Sequence, residues 1–141
     1  MRMMSVLTAA LLLPLVSTAA PATRQSALDE CGALSQAGMR ECLAGKAADS
    51  QALLKRAEND AVTALAQWDE DAKYVKLAKD RLSLSSKTFE RYREAQCAFL
   101  ASLGGGAIAS ALDMRRLACT ADLNNERAAS LSNNIANLPR R

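Results

Sequence analysis

Hydrophobic positions recur at helical spacing through the middle of the chain. Residues 50–103 contain no proline and no glycine, and helix-favouring Ala, Leu, Lys, Glu, Arg and Gln dominate there. An apolar or small residue recurs every seven positions, and the set is Leu54, Ala61, Trp68, Val75, Leu82 and Phe89. This pattern predicts a long amphipathic central helix. The serines within residues 83–87 are its least helical point, and a break or kink is expected there.

A second helical pattern follows three consecutive glycines, Gly104, Gly105 and Gly106. We expect this last helix to begin between residues 107 and 113 and to end near Ile135, with a frayed end beyond it. Its predicted inner stripe consists of Ile108, Leu112, Ala118 or Cys119, Leu123, Leu131 and Ile135. Because glycine lets the backbone reverse, the pattern predicts a helical hairpin. A phosphate-binding glycine loop would follow a strand and precede Lys-Ser or Lys-Thr, but no predicted strand precedes these glycines and neither dipeptide follows them.

The N-terminus has the features of a secretory signal peptide. Arg2 precedes an apolar run over residues 6–16, and small residues follow it. The run is shorter than the roughly 20 residues that a membrane-spanning helix needs. We therefore expect a signal peptide over residues 1–22, cleaved between 19 and 22, and one helical domain over residues 23–141. The product would be periplasmic or secreted, without a membrane span.

The charge and composition of the chain argue against a nucleic acid as its partner. The chain has 141 residues, 18 of them basic and 15 acidic, for a formal charge of +3. Loss of Arg2 with the signal peptide leaves +2. Aromatic residues make up only 4% of the chain, so the stacking platforms and concentrated basic face of a nucleic-acid binder are not expected.

Four cysteines in a short exported chain predict two disulfides. Three pairings are possible, and we favour Cys31 with Cys42 and Cys97 with Cys119, because these close the shorter loops. On one continuous helix Cys31 and Cys42 would lie about 16 Å apart, too far for a disulfide, so the chain must turn between them. Gly38 is the expected turn. A zinc site is not expected, because the chain has no histidine and no Cys-x-x-Cys.

These patterns together predict an all-α protein, a small disulfide-tied helical bundle with a long central helix and a C-terminal helical hairpin. Enzyme chemistry has little support. Without histidine a general base would have to be a carboxylate, a lysine or a tyrosine, and no serine lies in a recognisable nucleophile elbow. We expect neither catalysis nor a cofactor.

A set of motifs extends over about residues 28–132. They are Cys-x10-Cys with Gln36 and Met39 inside it, Asp49 and Leu53 in the following helix, Phe-x-x-Tyr-Arg-x-Ala-Gln-Cys at Phe89 to Cys97 with Tyr92 and Arg93, Gly104 to Gly106, Cys119, Arg127 and Leu131. Together these motifs resemble the LprI-type lysozyme inhibitor family. The sequence departs from the family at Phe89, where tryptophan is common. It also lacks the lipid-acceptor cysteine of the membrane-anchored founding members.

The resemblance implies inhibition of lysozyme by a small helical protein outside the cytoplasm. Such an inhibitor needs a rigid surface that fills the glycosidase cleft and offers a group to its catalytic carboxylates. Because arginine binds carboxylates through a planar fork, Arg115 and Arg116 near the glycine turn are the first candidates, with Arg93 behind them. A net charge near +2 gives no long-range attraction to a basic lysozyme.

A second class of function stays open, a periplasmic interaction or envelope-stress module that binds another protein and inhibits no lysozyme. The heptad stripe is equally compatible with a helical dimer and with packing inside one chain. The heptad stripe therefore favours neither oligomeric state.

Overall fold

The computed structural model describes residues 25–141, which form four α-helices and no strand within that range. The helices are α1 (Ala27–Cys31), α2 (Gln36–Ala66), α3 (Ala72–Ser102) and α4 (Ala109–Ile135). The predicted all-α fold with a C-terminal hairpin is confirmed. The predicted signal peptide lies outside the described residues. Within residues 25–141 no helix is both long and apolar enough to cross a membrane.

The three long helices run up, down and up, so α2 and α4 are parallel. α4 packs most extensively on α2 and less on α3, whereas α2 and α3 touch only sparsely. Leu43 of α2 lies in one apolar cluster with Met114 of α4, and Leu54 lies in a second with Ala128. The central layer of the bundle is therefore formed by helices that are distant in sequence, and α3 lies on its outside.

Alanine makes much of the core, which lets the helices approach closely. The first cluster also contains α1, and its buried members are Ala27, Cys31, Leu43, Met114, Ala118 and Ala121. The second consists of Leu54, Ala57, Ala128 and Leu131, against which Leu82 and Phe89 of α3 pack. Burial of this apolar surface is the main favourable term in the stability of such a bundle.

The break in the central helix is not where the serines predict it. Residues 83–87 lie inside α3, where the Thr88 hydroxyl donates a 2.9 Å hydrogen bond to the Leu84 carbonyl. The chain instead reverses over residues 67–71, between two 31-residue helices. A few serines cost a helix only a few tenths of a kcal/mol each relative to good helix formers, about the size of a weak contact, so packing overrides them. The seven-residue repeat continues in the sequence across this turn, which contains its member Trp68.

The predicted turn at Gly38 is also wrong. α1 ends at Cys31, the turn occupies residues 32–35, and Gly38 lies in the first turn of α2. The Ser35 hydroxyl accepts a 3.3 Å hydrogen bond from the Gly38 N–H and caps the helix. A capping serine thus sets the start of α2.

The predicted bounds of the last helix are confirmed, since α4 spans Ala109–Ile135. The residues beyond it, which the sequence predicts to fray, contact the α2–α3 turn. The Asp69 N–H donates to the Pro139 carbonyl at 2.9 Å, and the Arg141 N–H donates to the Gln67 carbonyl at 3.0 Å. The C-terminal segment therefore covers the end of the bundle that lies opposite the glycine turn.

Candidate functional site

The α3–α4 hairpin reverses at the three glycines. Gly105 has a φ of +56°, in the left-handed region that glycine enters without strain. A Cβ atom on Gly104 would require the end of the Leu112 side chain to shift. The left-handed backbone at Gly105 is therefore the clear geometric requirement for glycine in this turn. We call residues 99–116, which surround this turn, the hairpin tip.

A disulfide joins α3 to α4 two turns away from the glycines. Cys97 and Cys119 are both buried, with their Cα atoms 5.5 Å apart. Cys31 and Cys42 form the other bond, with a Cα separation of 6.0 Å. These are the pairs that sequence proximity favours, and no cysteine is free. Within residues 25–141 no group of three metal-ligating side chains occurs.

The hairpin tip exposes large apolar side chains. Phe99, Leu103 and Ile108 are 55%, 62% and 64% exposed. Ile108 was predicted to lie on the inner stripe of the last helix, but it directly precedes α4 and faces solvent. A cluster of exposed apolar side chains on a small protein is typical of an interaction site.

The two candidate arginines lie at this tip, in the second turn of α4. Arg115 and Arg116 are exposed, and neither pairs with a carboxylate of residues 25–141. Asp113 instead binds Arg40 of α2 at 2.9 Å. Arg116 borders a groove of about 390 Å³. The other residues that line this groove are Ala98, Ala101, Ser102, Ala109, Leu112 and Asp113. Both guanidinium groups are therefore available to an outside acceptor.

Arg93, the third candidate, lies away from the tip and is partly buried. Its Nη1 donates hydrogen bonds of 2.7 Å to Gln51 Oε1 and to Asn124 Oδ1. Asn124 is fully buried, and its Nδ2 donates to Ser50 Oγ at 3.1 Å. We call these four side chains the polar hub. Because they come from α2, α3 and α4, Arg93 joins the three long helices.

Arg127 and Phe89 extend this junction by one turn. Two guanidinium groups lie near the Phe89 ring, with that of Arg127 5.8 Å and that of Arg93 5.9 Å from the ring centroid. Arg127 Nη2 also donates to Ser85 Oγ at 2.8 Å. Cations at this distance from an aromatic ring are attracted to its face. Tyr92, by contrast, is exposed.

The sequence patterns missed Asn124, Ser50 and Gln51 of the polar hub. A signal for Asn124 was present, because it lies three residues after Ala121 and four before Ala128, both buried on α4. A polar residue in the middle of an apolar stripe needs a hydrogen-bond partner once it is buried. Its partners on α2, Ser50 and Gln51, could not be identified, because they lie more than 70 residues away in sequence.

Comparison with known proteins gives one match. No curated protein and no solved structure is significantly similar to the chain. A family model described as "Lysozyme inhibitor LprI" matches residues 29–131, which include both disulfides, the polar hub and the hairpin tip. The chain therefore belongs to the LprI lysozyme inhibitor family.

Proposed function

We propose that this protein is an exported inhibitor that blocks the substrate cleft of a lysozyme with its hairpin tip. The family match supports lysozyme as the partner. Two disulfides in a chain of this size support a location outside the cytoplasm. The protein acts by binding and performs no catalysis. The observation that carries the proposal is the tip itself, a disulfide-tied hairpin with exposed apolar side chains and two arginines that pair with no carboxylate of residues 25–141.

Each part of the tip has a counterpart in a muramidase cleft. The cleft contains two carboxyl groups that flank the scissile bond. An arginine binds such a carboxylate through two parallel hydrogen bonds, and Arg115 and Arg116 are exposed for this role. Phe99, Leu103 and Ile108 supply apolar surface that binding would bury. The Cys97–Cys119 bond limits the conformational entropy that the tip loses on binding, which improves affinity.

A lysis assay tests the proposed function directly. The oxidised protein, titrated into suspensions of cell wall with lysozymes of several structural types, should slow clearing of at least one type at near-stoichiometric ratios. Tight binding gives this result because each bound inhibitor removes one enzyme. No slowing of any type at large excess would contradict the proposal and favour an interaction module with a different envelope partner.

Replacement of Arg115 and Arg116 by alanine should weaken inhibition by at least about tenfold, because a hydrogen bond to a charged group contributes about 1.5–3 kcal/mol. The measurement is the inhibition constant against the sensitive lysozyme. The matched control is Lys55→Ala with Arg56→Ala, another exposed basic pair, located on α2. Equal potency of both double variants would show that the arginines have no part in binding.

A further inference from the structure

The total charge of the protein is small, but its basic and acidic residues are distributed unevenly among the helices. α2 carries four basic and four acidic residues, and α4 carries three of each. α3 carries seven basic and three acidic residues, a net charge of +4. Between residues 72 and 89 it has five basic residues and one acidic residue, Asp80. Asp80 forms a hydrogen bond with Lys76 that raises the pKa of that lysine. The positive excess therefore lies on the half of α3 that is distant from the hairpin tip.

Four large apolar side chains are exposed on α3 between residues 74 and 92, three of them in the same half. Tyr74, Leu77, Leu84 and Tyr92 are 47%, 51%, 56% and 51% exposed. At 3.6 residues per turn they fall within an arc of about 100°. This arc lies away from the side of α3 on which Leu82, Phe89 and Cys97 pack against the bundle. We call it the outer face of α3.

Basic side chains lie within and beside the outer face. Arg81 falls inside the arc, and the exposed Lys73, Lys87 and Arg91 lie along one edge of it. Lys73 also lies over the Tyr74 ring at 4.7 Å. A shallow depression of about 450 Å³ lies along part of the face and extends to Phe89 at the border with the bundle. Its lining residues are Arg81, Leu84, Ser85, Thr88, Phe89 and Tyr92.

We propose that the outer face of α3 binds the surface of an anionic phospholipid bilayer, with the helix lying in the plane of the interface. Basic side chains attract anionic head groups, and apolar side chains on the same face enter the boundary with the acyl chains. Tyrosine favours this boundary, because its ring is apolar and its hydroxyl is polar. Long Lys and Arg side chains reach head groups while their stems cover apolar surface.

The mixed character of this face favours a bilayer over a soluble polyanion. A polyanion such as a nucleic acid would interact with the basic side chains alone and would leave the leucines exposed to water. A bilayer can bury the leucines, hold the tyrosines at its interface and pair the basic side chains with anionic head groups at the same time. The contact would also leave the hairpin tip free at the other end of α3. It therefore does not depend on the proposed inhibition of lysozyme.

Vesicle sedimentation tests the proposal. The exported, oxidised protein should sediment with vesicles of phosphatidylglycerol and phosphatidylcholine at least about tenfold more readily than with pure phosphatidylcholine, and salt should weaken binding. Equal binding to both vesicles, or binding to neither, would overturn the proposal.

Two pairs of substitutions separate the electrostatic from the apolar contribution. Lys87→Gln with Arg91→Gln should weaken binding by about twentyfold, since each surface charge contributes about fivefold. Leu84→Ser with Tyr92→Ser should weaken it by about tenfold or more. The matched controls on α2 are Lys55→Gln with Arg56→Gln and Leu53→Ser with Val62→Ser, whose side chains are also exposed. These controls should bind like the unmodified protein.

The apolar pair decides between a bilayer and a polyanion. Suppose that the Leu84→Ser, Tyr92→Ser variant binds vesicles normally, and that soluble heparin displaces the variant and the unmodified protein from vesicles equally well. The face is then a general polyanion site, and the bilayer proposal is wrong. In a Trp68→Phe background, Leu84→Trp should show a blue-shifted emission with anionic vesicles, and Val62→Trp should not. An unshifted Leu84→Trp would likewise contradict insertion of the outer face.

Discussion

Replacement of Cys97 and Cys119 by alanine should lower the free energy of unfolding by about 3 kcal/mol, the chain-entropy value for a loop of this length. The bond closes a loop with a sequence separation of 22 and joins the two helices of the hairpin. α3 has few contacts with α2, so its attachment near the tip depends on α4 and on this bond. We therefore also expect the folded variant to inhibit lysozyme less well, because its tip is no longer rigid.

Urea unfolding of the variant with alanine at positions 97 and 119 gives its stability, and the lysis assay gives the inhibitory potency of the folded variant. Cys31→Ala with Cys42→Ala is the matched control, because it opens a loop with a separation of 11 and should cost a similar amount, about 3 kcal/mol. This control leaves α3 and α4 joined and should keep the potency of the folded protein. Equal potency of the two folded variants would contradict the role given to the hairpin disulfide.

Asn124→Leu should destabilise the protein by about 3 kcal/mol, because it leaves buried polar groups without partners. The leucine removes an acceptor from Arg93 and a donor from Ser50. Arg93 then keeps only Gln51, although it remains partly buried. A guanidinium group that is withdrawn from water and incompletely bonded is costly.

The measurement is again urea unfolding, with Asn125→Leu as the matched control at the next position. Asn125 is only partly buried and belongs to no hydrogen bond of the polar hub. Its substitution should change stability by no more than about 0.5 kcal/mol. If both leucine variants are equally stable, the hub does not hold the three helices together. The double variant with Arg93→Met should recover part of the loss, since both partners are then apolar.

The sequence predicts best where one strong local signal decides the structure. The glycines and the apolar stripe give the bounds of α4, and cysteine proximity gives the disulfide pairs. The turn over residues 67–71 has neither glycine nor proline, so it was missed. Its signal is subtler, since Asp69, Glu70 and Asp71 directly precede α3. Acidic residues are favoured at the N-terminal end of a helix, and Asp71 is the N-cap residue.

The candidate site is less predictable because its parts depend on tertiary contacts. Arg93 and Arg115 look alike in the sequence, yet one is a hydrogen-bonding member of the hub and the other is exposed. Only the packing of α2 beside α4, which brings Gln51 and Asn124 to Arg93, separates them. The positive excess of α3 is present in the sequence, but it can be assigned to one helix only when the helix bounds are known, because the total charge of the chain is small.

The parallel pairing of α2 with α4 determines when this chain can fold. Leu43 belongs to one cluster with Ala121, and Leu54 to another with Leu131, so the first cluster needs half of the last helix and the second needs nearly all of it. Contacts between such distant segments form late, after the entropy of the long loop has been overcome. A ribosome or a secretion channel that delivers this chain from its N-terminus therefore holds an unfolded polypeptide almost to the end. Such a chain is well suited to threading through a narrow pore.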